Sequence, residues 1–339
     1  MTLLQAIILG IVQGLTEFIP VSSTAHLIFA GRAIGLYQGV NATLRAQQTT
    51  ATIAVMQLGT LLAVLVYFAG DIWRISRAFL MDHVALLTGR RVATNPVATA
   101  PGTDKEDTVA TTQGTDKEGT VATAPGTERT NRVAATAGIS GKLSHEAWLG
   151  WLIIIGSLPV AIVGLLFKKQ IEGTFTKNLW VIATMMIVIA VLLAIAELVG
   201  KQQRSMEQLG IFDAVMVGSA QCLALIPGSS RSGSTIMAGL LAGEVRETAA
   251  RFSFLLSIPA IAASGLLELR EAVHKLPPGS AVSIIVATLM SFAVGYASIW
   301  FLLRFLRTHS TGVFIAYRLI IGTLILVGLW GGYISASVR

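Results

Sequence analysis

Charge is scarce in this chain. Only 13% of its 339 residues are Asp, Glu, Lys or Arg, while 53% are hydrophobic and the mean hydropathy is +0.71. Soluble domains usually carry about 25% charged residues, and so few charges could not cover the surface of a soluble protein this long. The deficit excludes that class and points to an all-α polytopic membrane protein. The net charge of +7 then belongs to loops and anionic lipid headgroups, and no nucleic-acid partner is expected. Cysteine is nearly absent: Cys222 alone excludes a disulfide framework and a thiolate metal cluster. No Lys or Arg precedes the first apolar run, which meets Glu17 early, so that run does not read as a cleaved signal peptide. No His, Asp or Glu spacing suggests a metal cage built by protein alone. No Gly-Lys-Ser/Thr follows a strand, which excludes a P-loop.

Long apolar runs are what the chain has instead. A transmembrane helix needs roughly 20 mostly apolar residues, and six stretches qualify: about 49–69, 148–167, 179–199, 249–267, 281–303 and 313–330. Trp73, Trp148, Trp180 and Trp330 lie near their ends, as in an aromatic belt. Two further apolar regions, about 1–36 and 211–242, are each a helix, a small polar break and a second short helix. That is the profile of a re-entrant hairpin, whose exposed backbone is tolerated only inside protein or beside a wet cavity. The breaks resemble each other. Both contain Gln followed by Ile-Pro-x-Ser-Ser, from Gln13 to Ser23 and from Gln221 to Ser230, with one residue's difference in spacing. Three full spans separate them, so the second hairpin enters from the opposite side. The fold expected is one membrane domain of about six transmembrane helices plus two re-entrant hairpins forming an inverted repeat.

The stretch 92–143 breaks the pattern. It contains three degenerate copies of a 12-residue unit, 97–108, 109–120 and 121–132, rich in Thr, Ala, Gly and charge. Such a segment cannot bury enough apolar surface to offset its ordering entropy, and it reads as a disordered low-complexity insertion. Arg74, Arg77, Arg90 and Arg91 follow the first span, Lys201 and Arg204 the third, and Arg304 and Arg307 the fifth. These would share the cytoplasmic side with the insertion. Lys168, Lys169, Arg270 and Lys275 fall on the other side. Both termini and the first hairpin then face outward.

The few polar residues at membrane depth carry the chemistry. Gln13 and Glu17 are four apart and share a helix face, and an ionisable group at that depth costs a few kcal/mol, so its default reading is functional. Ser22, Ser23, Thr24 and His26 follow. The hydroxyls fit helix capping and equally an anion site at a helix N-terminus. The second break supplies a cation: Gly228, Ser229, Ser230, Arg231, Ser232 and Thr235 put small residues, hydroxyls and one guanidinium within a few positions. Small residues let backbone N–H groups approach an anion, and the guanidinium fork matches phosphate oxygens. Arg251 and Arg318 lie within or at the ends of spans, and could support the site or pair structurally with Glu197, Glu268 or backbone carbonyls. The pieces read as a site for a lipid phosphate or diphosphate at membrane depth.

At these residues the chain resembles a known family. The run from Gln13 to His26 is similar to the first signature of the bacterial undecaprenyl-diphosphate phosphatases of the bacitracin-resistance type, and Pro227 to Thr235 to the second. Ala54 to Gly59, Ala250 to Leu256 and Tyr317-Arg318 extend the likeness over the chain apart from the insertion. The resemblance implies removal of one phosphate from undecaprenyl diphosphate outside the bacterial cytoplasmic membrane, recycling the lipid carrier of peptidoglycan synthesis and conferring bacitracin resistance. The family's first motif often has two glutamates four apart, whereas here the first is Gln13. A mechanism that needs both carboxylates, or a metal held by both, is thereby put in question. A divalent cation, Mg2+ or Ca2+, bridging the diphosphate is left open, as is a homodimer.

In catalytic roles the reading places Ser23 as nucleophile, His26 or Glu17 as its base and Arg231 as stabiliser of phosphoryl charge. Attack by water oriented by Glu17 and His26 is the alternative. Gln13, Ser22, Thr24, Gly228, Ser229, Ser230, Ser232 and Thr235 would hold the diphosphate. A different class of function, a transporter or flippase for a lipid-linked or small anion, fits inverted hairpins as well.

Overall fold

The computed structural model of the protein describes residues 1–39, 41–89, 143–167, 178–276 and 279–336. The insertion expected over 92–143 lies outside the described residues except for Leu143. Among the described residues the regular elements are helices: α1 Leu3–Phe18, α2 Ser23–Ala33, α3 Ala42–Tyr67, α4 Ala69–Leu87, α5 His145–Leu166, α6 Leu179–Val199, α7 Ile211–Gln221, α8 Arg231–Leu241, α9 Arg246–Lys275, α10 Ala281–Leu306 and α11 Gly312–Trp330. Among the described residues six stretches are long and apolar enough to cross a membrane: Gln47–Tyr67, His145–Leu166, Leu179–Val199, Arg246–Leu266, Ala281–Leu306 and Gly312–Trp330. Each coincides with one of the six expected spans. The protein is an all-α, multi-pass membrane protein.

The chain forms two compact units. One comprises Met1–Ile75 with Leu149–Arg339, the other Ser76–Trp148. In the second, Asp82 accepts from both the backbone N–H and the hydroxyl of Ser144. Everything below belongs to the first.

Helix directions follow from which residues meet. Along α1 and α10, Ser283 reaches Met1, Gly10 faces Ala287, and Gly14 faces Gly295. The two helices therefore run parallel, packed so closely at Gly14 that a Cβ there would lie 2.7 Å from the Gly295 nitrogen. Glycines at such a crossing let helix backbones touch, which is how spans associate where lipid removes the hydrophobic drive. Helices α6 and α11 run antiparallel: Thr311 bonds Glu197 at one end, and the Leu179 N–H bonds Ala336 at the other.

Both expected helix–break–helix units are present, α1 with α2 and α7 with α8. Pro20 ends the first arm of one. The other passes through a 3-10 turn at Cys222–Leu225 before Pro227. The second arms diverge along α6. Ala25 of α2 packs into a cluster with Leu179, Ile182 and Met186, and Ile28 and Phe29 lie against it. At the start of α8, Gly228 lies against Ile182, while Leu240 near its end reaches Gly200. So α8 runs parallel to α6. It runs against α9 (Gly239 beside Ala249, Thr235 bonded to Ser253), α9 runs against α3 (Arg251 over Phe68, Gly265 beside Leu58), and α3 runs with α10 (Gly59 beside Thr288, Ala63 beside Gly295), so α8 shares the direction of α1. Gln5 near the start of α1 donates to the Ile34 carbonyl just past the end of α2, so α2 runs back along α1 and opposes α8.

Candidate active site

Arg318 gathers the two breaks. Its side chain is fully buried and donates only to backbone carbonyls: Met185 and Met186 of α6, Pro20 of the first break, and Gly228 and Ser229 of the second. A guanidinium has five N–H donors in a fixed plane and no acceptor. One side chain can therefore hold carbonyls of both breaks against α6 at once. Of the alternatives open in the sequence, backbone carbonyls are the ones realised.

Local backbone geometry aims the breaks. Ser22 and Ser230 precede α2 and α8 with φ of +80° and +66°, a region costly for residues with a Cβ and commonest at functional sites. The signatures pair Ser22 with Ser229, but helix geometry pairs Ser22 with Ser230, so Ser23 and Arg231 both stand first in their helices. Gly228 adopts φ +96°, and a Cβ on it would lie 2.2 Å from the Ile182 carbonyl. The N-termini of α2 and α8 thus approach a common region from opposed directions. Ser22 makes no side-chain cap bond at α2; Ser230 Oγ accepts from the Gly233 N–H at α8. Two helix N-termini converging on one place favour an anion there.

The ionisable residues singled out in the sequence meet in this region. Arg231 Nη2 donates to Glu17 Oε1, an ion pair between residues 214 positions apart that joins the two breaks. Gln13 Nε2 donates to Glu17 Oε2 at 3.1 Å. Both carboxylate oxygens are therefore engaged. Glu17 is nearly buried, while a fifth of the Arg231 side chain stays accessible, leaving its remaining N–H groups for a ligand. His26, three residues after Ser23 on α2, sits between the Ser22 carbonyl, 2.7 Å from Nδ1, and the Tyr317 hydroxyl, 2.6 Å from Nε2.

The hydroxyls divide. Ser23 is half-buried and Thr24 exposed at the mouth of α2. Ser230 and Ser232 face each other at 3.2 Å. Ser229 is buried, and its Oγ has no hydrogen-bond partner among the described residues; the same holds for Gln13 Oε1 and Ser234 Oγ. Thr235 does not reach the site. Its hydroxyl is buried against Ser253 of α9 and the Arg231 carbonyl, so it fastens α8 to α9 and is unavailable to a diphosphate.

Tyr317 is the contact that residue-by-residue reading missed. It belonged to the resembling Tyr317-Arg318 pair, yet nothing local ties it to His26, which lies 291 positions away. Asp71 was missed too: it pairs with Arg251, whose guanidinium lies over Phe68. Glu197 takes Arg246 and Thr311, not Arg251 or Arg318.

Comparison with known proteins places the chain as a whole. A family model described as bacitracin resistance protein BacA matches residues 6–100 and 121–324. The chain belongs to this family. Among BacA relatives, a protein of Syntrophobacter fumaroxidans named undecaprenyl-diphosphatase is 44% identical over 326 residues, covering 96% of this chain and 97% of that one. Proteins of the same name from Nocardia farcinica and Mycolicibacterium vanbaalenii are 42% and 40% identical, each covering 99% of this chain and 99% and 100% of their own. The BacA match passes over 101–120, inside the repeats.

Proposed function

We propose that the protein is a membrane phosphatase that hydrolyses undecaprenyl diphosphate to undecaprenyl phosphate and inorganic phosphate. This recycles the peptidoglycan lipid carrier and confers bacitracin resistance. The observation that carries the reading is the Glu17–Arg231 pair, which ties the end of α1 to the start of α8 beside the N-terminus of α2. An anion bound there is held by amides and a guanidinium, and its prenyl chain can stay in the lipid. The name shared by the relatives supports the same chemistry.

In this reading Ser23 Oγ attacks the terminal phosphorus and His26 receives its proton. Glu17, with both oxygens engaged, acts by holding Arg231 in place, so the imidazole is the better base of the two that the sequence left open. Arg231 takes the charge that spreads over the phosphoryl oxygens. Ser230, Ser232 and the free amides of α2 orient the diphosphate, with Gln13, Ser22, Thr24, Gly228 and Ser229 lining the approach. The residues do not fit a divalent cation held by protein alone. Among the described residues no three His, Cys, Asp or Glu side chains group around one point, and Glu17 is already occupied. A cation, if used, would be held chiefly by the diphosphate, and no step here runs through it. We place the protein in the bacterial inner membrane with the site open to the periplasmic side. Arg204, Arg246 and Arg307 gather at one end of the spans, consistent with a cytoplasmic face there.

Phosphate release from a polyprenyl diphosphate by purified protein in detergent is the test. Release, together with a phosphoserine trapped at residue 23 on rapid quenching, supports both activity and nucleophile. Release from Ser23→Ala at the wild-type rate transfers the attack to water. The opposed second arms also suit a lipid-anion transporter, and binding without release would favour that reading.

A further inference from the structure

The Nδ1 of His26 lies against a carbonyl oxygen, which can only accept, so Nδ1 carries the proton of the neutral ring. The lone pair is then on Nε2, and the Tyr317 hydroxyl donates to it. The only basic atom of the imidazole is thus covered by a phenol. The two rings lie nearly parallel, 15° apart with centroids 5.6 Å from each other. Tyr317 adjoins Arg318, the buried anchor of both breaks, so its backbone is held at the junction. The residue nevertheless remains 39% exposed, which leaves the phenol room to turn.

We propose that Tyr317 is a positioning residue that caps His26 in the resting enzyme and is drawn off by the diphosphate. This rests on the reading of His26 as the proton acceptor. When substrate binds, a phosphoryl oxygen takes the Tyr317 O–H in place of Nε2, and the lone pair of Nε2 is released. The O–H bond of Ser23 (or of the attacking water) then breaks as an N–H bond forms on Nε2. The new O–P bond forms as the anhydride P–O bond breaks, and the prenyl monophosphate leaves with that electron pair. The Ser22 carbonyl, set by its positive φ, keeps the resulting imidazolium oriented through Nδ1–H. The cap couples the appearance of the base to arrival of the diphosphate.

Tyr317→Phe keeps the ring and removes the hydroxyl. Two readouts separate the cap from a packing role. The first is peptide-resolved modification of His26 by diethyl pyrocarbonate, which attacks an unprotonated, uncovered imidazole nitrogen; in ligand-free protein it should accelerate at least about fivefold in the variant. The second is affinity for a non-hydrolysable polyprenyl methylene-diphosphonate, which should weaken about tenfold, one hydrogen bond's worth. KM should rise in step while kcat falls by no more than about threefold. Unchanged His26 reactivity, or unchanged analogue affinity with only a lower melting temperature, would overturn the cap. Neither readout needs turnover, so failure of the phosphatase reading, seen as no phosphate release from the wild type, is told apart from failure of the cap.

Discussion

At the scale of single residues, the site depends on shape more than on charge. Arg231 serves Glu17 with one N–H and leaves the others for a phosphoryl group, which a lysine ammonium cannot do in a fixed plane. Arg231→Lys should lower kcat/KM for phosphate release about 100- to 1,000-fold, with the melting temperature in detergent nearly unchanged. A decline within threefold would remove Arg231 from the transition state. Gln13, Glu17, Ser23, His26 and Arg231 were all legible in the sequence, because polar groups amid apolar runs stand out by cost alone. The cap on His26 and the self-satisfaction of Thr235 were not. Both depend on partners from other helices, Tyr317 and Ser253.

At the scale of elements, the two breaks demand unusual backbone, and the second tolerates little change. Gly228→Ala adds about 1–3 kcal/mol of left-handed strain, before the approach to the Ile182 carbonyl is counted. The variant should melt lower in detergent and lose phosphate release together. Past the end of α8, Glu244 is fully buried, its carboxylate oxygens have no hydrogen-bond partner among the described residues, and nearby Arg204 is bound by Asp213. Burial first, then the charge of Asp213, push the Glu244 carboxyl up to about 8, with Arg204 opposing. Unfolding returns it to about 4.5, so between those values the folded protein holds the extra proton. Stability should fall as pH rises through that window, by at most about 1.4 kcal/mol per unit. Melting curves from pH 5 to 8.5 test this: Glu244→Gln should flatten the slope and melt higher than wild type at pH 8. A slope that persists in the variant assigns it to another group.

At the scale of the whole molecule, one unit carries the site, and the repeats differ from the rest of the chain in composition. The BacA model passes over 101–120, and the composition of the repeats offers no core to lose. Excision of 97–132 should leave kcat/KM within about twofold of wild type, since the family match passes over the centre of the repeats; a large loss would give the repeats a role in the reaction. The inverted arrangement was legible as parity, from three spans between two similar breaks. The structure adds where they meet, beside Met185 and Met186 of α6, and what holds them there, Arg318.

The sequence by itself determined the class of protein, the six spans, the two interrupted helices and the scarce charges on them. Each of these follows from local composition and from the cost of polar groups in lipid. Only the tertiary structure decided how those residues divide their labour. Arg318 became an anchor for carbonyls, Glu17 a partner to Arg231, Thr235 a fastener, and Tyr317 the neighbour of His26. The physical reason is that a hydrogen bond needs two groups within about 3 Å, and the groups in question lie as many as 298 positions apart in the chain.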